Sequence, residues 1–575
     1  PALGSHSSQP DTRRATAFAL LWGVLVSHVI RGYQFGRGNH HVYLLDALRI
    51  NDPTLLQNDW WTANTLQYHW VFSYVAAVVM RVGIAEVAFL LMHAATVVLL
   101  HLAWWRIVRT LRGDLSVYVV SVLLYHALGG GFGLGLYAFL QDSSFLPSNA
   151  AAVALLWGVA FWLVRRDVAA GVCVGVAGVW HLNYAVVGVG AWGIYLVWRL
   201  AFTRDDRRTL LIATGAAWLP CLANIVPALV AKAYTDDLRI PLNEYVDLYV
   251  KLRHPHHYDP GSWPVALWVA FLLPVPMAWR AWKTLHRSLP RRRGVALVLA
   301  AGAVLLVALF GAGIFWTSGT LIQMSLWRFS VFPKLLLCVA AALWIVVTLR
   351  PTAGRAAEKA AAWAVAIGIP VVGLVLLLLG VIPRDQTHTG WAVLACIAAG
   401  VPIALQRWAW AVPGVVLMLA ASAWNGTAAR PDEPALREVA AWAEQATSVD
   451  AVFVVPPSAS GFRLDARRAA VVTFKHVPQL SGEMRTWRAA LQDVLAIDDL
   501  TAVPGDFNAK QAWMDERYRQ RPLTALLDVA SKHDATHVIA PPTEPPTDDT
   551  QPAFVSGDGR WAVYVVERDG PDDSN

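Results

Sequence analysis

Four short strings in this chain carry residue types able to do chemistry. KLRHPHHYDPGSW brings Arg253, His254, His256, His257 and Tyr258 together. Histidines this dense can ligate a divalent ion or, with Arg253, donate hydrogen bonds to a phosphate. The H-P-H-H spacing matches no standard zinc signature, and a structural polar loop is the third use of such a string. The stretch 31–83 holds His40, His41, Asp46, Asp52 and Asp59 between two apolar segments, and GLYAFLQDSSFLPSN holds Asp142 with no Lys or Arg. LWRFSVFPKLLL puts Arg328 at the end of an apolar run and Lys334 further inside it. A cation within such a run costs about 2.5–3.5 kcal/mol unless it is paired or in a wet cavity. Arg328 can snorkel to an interface. Lys334 lies too deep to do so easily, and the two together suit a clamp on a lipid phosphate or pyrophosphate.

The elements that position these residues are set by composition. Of 575 residues, 56% are hydrophobic and 15% charged, with 28 Trp and a mean hydropathy of +0.44. Such a chain is a polytopic membrane protein with aromatic belts, not a soluble globule. The net charge of +7 is no nucleic-acid footprint, because the arginines fall in short loops rather than on one basic face. Cys173, Cys221, Cys338 and Cys396 lie inside apolar runs and are expected as small core residues without disulfides. Residues 1–12 are expected to be disordered.

A spanning helix needs about 20 apolar residues. Candidate spans are 15–33, 84–105, 115–134, 148–164, 168–183, 184–199, 209–231, 263–281, 294–315, 329–349, 360–382, 390–405 and 408–424, about thirteen helices within a transmembrane domain 13–424. Arginines at 106–112, 165–166, 204–208, 287–293 and 350–355 alternate between loops, and the positive-inside rule makes those loops cytoplasmic. The N-terminus is then cytoplasmic. The first loop (34–83), the strings holding Asp142 and His254–His257, and everything after the last span lie outside. YHWVFSYVAAVVMRVG is too short to cross and suits an amphipathic helix lying in the interface. From 425 to 575, amphipathic helical stretches alternate with β-branched runs (AVFVVPP, RAAVVTF, THVIAPP, WAVYVVE), which predicts an extracytoplasmic α/β domain.

Within the first loop, HVYLLDALRI can form one helix with Asn39, Tyr43 and Asp46 on a single face. Asp46 is either a catalytic carboxylate or a surface partner of Arg49. Asp52 and Asp59 are expected to cap turns, and His181 and Asn183 to make helix-packing hydrogen bonds. Trp60, Trp61 and Trp70 could stack on sugars. Arg463, Arg467, Arg468, Lys475 and His476 form a basic group that faces either the site or anionic headgroups.

A first span, an outer segment with an acidic residue and an interfacial helix, the turn Asn58-Asp59-Trp60, and a second span running into RIVRTLRG together resemble the GT-C superfamily of polyprenyl-phosphate-dependent glycosyltransferases. The motifs cover residues 15–112; beyond them the resemblance is carried by topology and the domain after the last span. It implies transfer of a sugar from a polyprenyl-phosphate-linked donor to a glycan, lipid or protein acceptor on the outer face of a bacterial cytoplasmic membrane. Such enzymes keep a catalytic Asp or Glu early in the first loop. Here that neighbourhood reads Gly38-Asn39-His40-His41, and the nearest acid is Asp46. Either Asp46 is the base, or His40 stands in for it, or the fold persists without the chemistry. Asp142 resembles a second acid that supports the acceptor or, with His256 and His257, a divalent ion such as Mg or Mn; its other use is as a turn or N-cap residue. Arg328 and Lys334, with Arg253, His254, His256 and His257, would hold the donor phosphate. Two other classes remain open: a lipid or solute transporter, and a GT-C-fold scaffold or sensor.

Overall fold

The computed structural model describes residues 12–67, 69–202, 206–235, 239–284, 288–349, 356, 387–405, 408–428, 433–542 and 551–566. The expected span 360–382 and residues 1–11 lie outside the described residues. Seven described helices are long and apolar enough to cross a membrane: Arg13–Arg31, Ala85–Thr110, Leu182–Phe202, Arg207–Tyr234, Val265–Lys283, Leu289–Ile314 and Leu326–Leu349. Shorter apolar helices fall at most of the other expected spans, among them Pro147–Leu163, Asp167–Trp180 and Gly390–Ala404. The chain is a multi-pass membrane protein.

These helices divide by burial. Leu326–Leu349 has 89% of its apolar window inside the protein, against 17% for Leu289–Ile314, so the former is the central post and the latter presents its side chains outward. Around the post packs a core that includes Trp22, Trp104, Tyr118, Tyr125 and Trp327.

The expected span 115–134 is where sequence and structure part. The helix Leu115–Ala127 stops, and the chain turns by 89° into Gly129–Leu136. Gly129, Gly130 and Gly131 all take positive φ, which three larger residues in a row would resist. A helix ending inside the protein leaves carbonyls without partners. The Lys334 ammonium donates to the Leu128 and Phe132 carbonyls, and Arg31 Nη2 donates to the Gly130 carbonyl at 2.6 Å. Each cation also lies against an aromatic face, Lys334 on Tyr125 at 4.8 Å and Arg31 on Phe132 at 4.1 Å.

The segment after the first helix folds into the short helices His40–Tyr43, Leu45–Asn51 and Trp60–Asn64, followed by Trp70–Arg81. That last helix buries Phe72, Ser73, Ala76 and Ala77 and exposes Tyr74 and Val78, the two-faced pattern expected of it. In the C-terminal α/β unit, strands β1 (Val452–Val454), β2 (Ala469–Ala470), β3 (His537–Ala540), β4 (Phe554–Val555) and β5 (Ala562–Val565) form one sheet in the order β2-β1-β3-β5-β4. β2, β1 and β3 run parallel, while β5 is antiparallel to both β3 and β4. Helices Pro434–Ala446, Met484–Leu495, Phe507–Arg519 and Leu523–Lys532 match the expected stretches. The expected strand RAAVVTF shrinks to Ala469–Ala470, because Thr473 and His476 turn away to hydrogen-bond each other and, through His476 Nε2, the His41 carbonyl.

A buried ion pair joins the α/β unit to the first segment. Asp59 Oδ1 caps the Trp60–Asn64 helix at Thr62 N, as a turn residue should. Its Oδ2 receives Arg463 Nε at 2.5 Å and the Ala470 N–H at 3.0 Å, with the two side chains 0% and 1% exposed. Arg463 spends its remaining donors on Thr473 Oγ1 and the Ala470 carbonyl. Arg468 is likewise buried, donating to the Glu444 and Thr447 carbonyls, and Arg467 pairs with Glu444. Arg463 and Arg468 therefore hold the unit together rather than facing a site or headgroups, while Arg467 is exposed. Arg463→Ala strands a buried carboxylate and is expected to cost about 3–5 kcal/mol, read as a large drop in melting temperature and early proteolysis of the α/β unit.

Candidate functional site

Arg328 lies in the tight turn Leu326–Ser330 that opens the central helix, directly after Ser325, which takes a left-handed φ of +49°. That turn swings its guanidinium over the Tyr137 ring at 4.6 Å. Tyr43, Tyr184 and Tyr258 lie near enough to interact with its charge, and the Tyr258 hydroxyl bonds Ser325 Oγ. Each tyrosine comes from a different part of the chain: the His40–Tyr43 helix, the loop after the broken helix, the Leu182–Phe202 helix and the Pro255–Tyr258 turn. His257 stacks flat on Tyr137 at 4.5 Å, and His69 meets Tyr43 edge-on at 4.8 Å. Burial first, and then Arg328 among other cations, holds both imidazoles neutral, with pKa values lowered to about 3. Among the described residues no carboxylate lies within ion-pair distance of Arg328, and its Nε is sealed from solvent without a hydrogen-bond partner. A half-buried cation with aromatic and neutral imidazole neighbours and no acid partner is suited to receive an anion.

Asp142 stands on the other side of Tyr43, which interacts with both charges. Its backbone φ is +55°, unusual for a side-chain-bearing residue, and Ser143 follows at +53°. One carboxylate oxygen accepts the Asn39 N–H at 2.8 Å, and Gln34 Nε2 binds the Asp142 carbonyl at 2.5 Å. Gly38 makes the approach possible: a Cβ there would meet the Asp142 carboxylate at 2.9 Å. The loop carrying Asp142 is thus fastened onto Gly38-Asn39, the place where the sequence lacks its expected acid.

The other expected site residues are distributed differently. His40 is fully buried, with Nδ1 accepting the Gly36 N–H at 3.0 Å and Nε2 donating to the Phe145 carbonyl at 3.0 Å. Both nitrogens are committed, and burial lowers its pKa to about 4, so it is a brace rather than a stand-in base. Asp46 is half-buried in the first turn of Leu45–Asn51, one turn from Tyr43; the expected pair with Arg49 is not formed, since Arg49 donates to the Thr62 carbonyl at 2.9 Å. Lys334 serves the broken helix and so departs from the expected clamp. Arg253 departs likewise: its guanidinium donates to the Phe474 and Lys475 carbonyls and lies between the Phe474 and Phe507 rings, both at 5.1 Å. His254 and His257 bond the Tyr249 and Gly135 carbonyls, and His256 packs on Phe507 at 4.7 Å. Among the described residues no three His, Cys, Asp or Glu gather as metal ligands. Asp142 instead lies against residues 34–39, so the proposed His256, His257 and Asp142 set for a divalent ion is not assembled. Of the tryptophans, Trp61 is buried against His476 and Trp70 bonds the Ala223 carbonyl, so both serve packing. Asn183 donates to the Gln323 carbonyl, the packing bond expected of it.

Sequence reasoning missed Tyr137 and Tyr184, which show no spacing; Tyr43, on one face with Asn39 and Asp46, and Tyr258, adjacent to the histidine string, carried a signal. It also missed Glu483, which accepts the Leu66 N–H at 3.0 Å and the Leu480 N–H at 3.4 Å, a further link from the α/β unit to the first segment. Burial raises its pKa from 4.5 to about 7. The folded protein therefore holds a proton that the unfolded chain releases. This contribution to stability is full below pH 4.5 and is lost as pH rises through about 7. Glu483→Gln is expected to flatten that slope in thermal melts taken across this range.

Comparison with known proteins bears on the fold. A family model described as a domain of unknown function (DUF6798) matches residues 434–494, the first half of the α/β unit. No curated protein sequence matches the chain. Among solved structures, ArnT from Cupriavidus metallidurans bound to undecaprenyl phosphate is similar at a TM-score of 0.51 and 14% identity, over 98% of this chain and 100% of that one. The same protein in its apo state gives 0.50 and 14%, over 97% and 98%. The chain shares the fold of these ArnT structures, at a sequence identity of only 14%.

Proposed function

We propose that this protein is a membrane glycosyltransferase that passes a sugar from a polyprenyl-phosphate-linked donor to an acceptor at the outer face of the cytoplasmic membrane. The observation that carries the reading is Arg328, a half-buried cation with no acid partner among the described residues, lying over the Tyr137 ring and near Tyr43, Tyr184 and Tyr258. The similar ArnT structure holds undecaprenyl phosphate, a ligand of the class such a site would take. As the bond between the anomeric carbon and the phosphate oxygen breaks, negative charge builds on the phosphate. Arg328 would stabilise that charge, usually the largest contribution to catalysis of this kind. Asp142, with one oxygen pinned by Asn39 N–H, offers the other to take the acceptor's proton. Asp46 is a second carboxylate, on the first segment in the helix Leu45–Asn51. The α/β unit then stands outside the membrane, where a glycan, lipid or protein acceptor would be met.

A scaffold that keeps the fold without turnover is the second reading, favoured by Asn39 where the resemblance calls for an acid. Native mass spectrometry with a polyprenyl phosphate, beside a transfer assay, separates the two. Arg328→Gln is expected to weaken lipid-phosphate binding by about tenfold to a hundredfold, the loss of one charge-assisted contact. Asp142→Asn should keep that binding and lower kcat by about 10²–10⁴. Unaltered binding in the Arg328 variant would remove the transferase reading; binding without turnover for any donor would leave the scaffold.

A further inference from the structure

A cavity of about 280 Å³ opens in the α/β unit, apart from the Arg328 site. Its floor is the loop Ser458-Ala459-Ser460-Gly461, which follows β1 at the carboxyl end of the parallel part of the sheet. The chain leaves β1 for β2 on one side and later returns to β3 on the other. Open α/β sheets bind ligands in the crevice that such a switch of direction creates. The loop is held rigidly: Ser458 N–H donates to Asp515 at 3.0 Å, and Ser460 Oγ bonds His41 Nδ1 at 3.1 Å.

Arg437 lines this cavity from the first turns of Pro434–Ala446. None of its guanidinium nitrogens has a hydrogen-bond partner or an ion pair among the described residues, and Nε and Nη2 are shut off from solvent. Glu433, four residues earlier, is engaged by Trp561 Nε1 and Arg560 instead. In the same unit Arg463 and Arg468 are saturated with partners, so an idle half-buried arginine is the exception here. Around it stand groups that bond hydroxyls: Ser458, Ser460, Gln511 and Asp465. A cation suited to carboxylate or phosphate, beside a ring of hydroxyl-bonding groups in a space of monosaccharide size, defines one ligand chemistry.

We infer that this cavity is a binding site for an anionic monosaccharide, a uronic acid or a sugar phosphate, anchored by Arg437. Through Ser460 and His41 the bound sugar would touch the segment that carries Asn39 and Tyr43. The inference stands independently of the transferase reading, since it requires neither a lipid donor nor turnover.

The test is calorimetric titration of the full-length protein in nanodiscs with glucuronic acid, glucose 6-phosphate, glucose and inorganic phosphate. At least one of the two anionic sugars is expected to bind saturably, with glucose and inorganic phosphate each at least about tenfold weaker. Arg437→Gln is expected to weaken the anionic sugar by about tenfold or more while leaving the melting temperature and polyprenyl-phosphate binding as in the wild type. Gln511→Ala should weaken it by a smaller factor, and it decides the matter if the arginine variant does not fold. Absence of saturable binding by both anionic sugars, phosphate alone binding as well as the sugar phosphate, or wild-type affinity in a folded variant would each overturn the assignment. Loss of lipid binding in the Arg328 variant reports on the other site and leaves this one standing.

Discussion

A helix that ends inside a membrane protein is the constraint on which the rest of this architecture depends. With no water to satisfy its last carbonyls, Leu115–Ala127 could not stop at Leu128 unless the protein supplied donors. Lys334, from the central helix, and Arg31, from the first, supply them. Because the break is tolerated, the following loop can double back and deliver both Tyr137 and Asp142 to one place. Without the two cations the carbonyls of Leu128, Gly130 and Phe132 at the break would lose their side-chain donors.

The same accounting separates structural charges from a functional one. Lys334, Arg31, Arg253 and Arg463 are all buried or partly buried, and each is bonded to backbone carbonyls or to a carboxylate. Asp59 accepts both an arginine and two backbone N–H groups. Arg328 alone among these cations is given rings rather than acceptors. An isolated buried charge is unstable unless something completes it, and this is why Arg328, rather than the more conspicuous histidine string, is the centre of the candidate site.

The α/β unit contributes more than cover. It is fixed to the first segment through Asp59–Arg463, His476–His41 and Glu483–Leu66, and to the 246–258 segment through Arg253. The residues that hold Tyr43 and Asn39 in place are thereby braced from two directions. Its own cavity at Arg437 touches the first segment through Ser460 Oγ and His41 Nδ1.

Much of the architecture was legible in the residues themselves. Runs of about 20 apolar residues can only be spans, and the helices and most strands of the α/β unit followed from period and β-branching. Asp59 as a turn cap and the two-faced helix Trp70–Arg81 were readable because they are local. What the sequence could not disclose was which cation lacks a partner. Arg328 and Lys334 sit six residues apart in one string and look alike on paper, yet one is consumed by carbonyls from positions 128 and 132 and the other faces tyrosines from positions 43, 137, 184 and 258. His40 and the histidines at 254–257 looked available for the same reason and turned out to be engaged or packed. The sequence by itself determined which segments are apolar enough to cross a membrane, since that depends on each segment's own composition. Only the tertiary structure decided which charge is left for a ligand, because hydrogen-bond satisfaction depends on partners brought together from distant parts of the chain.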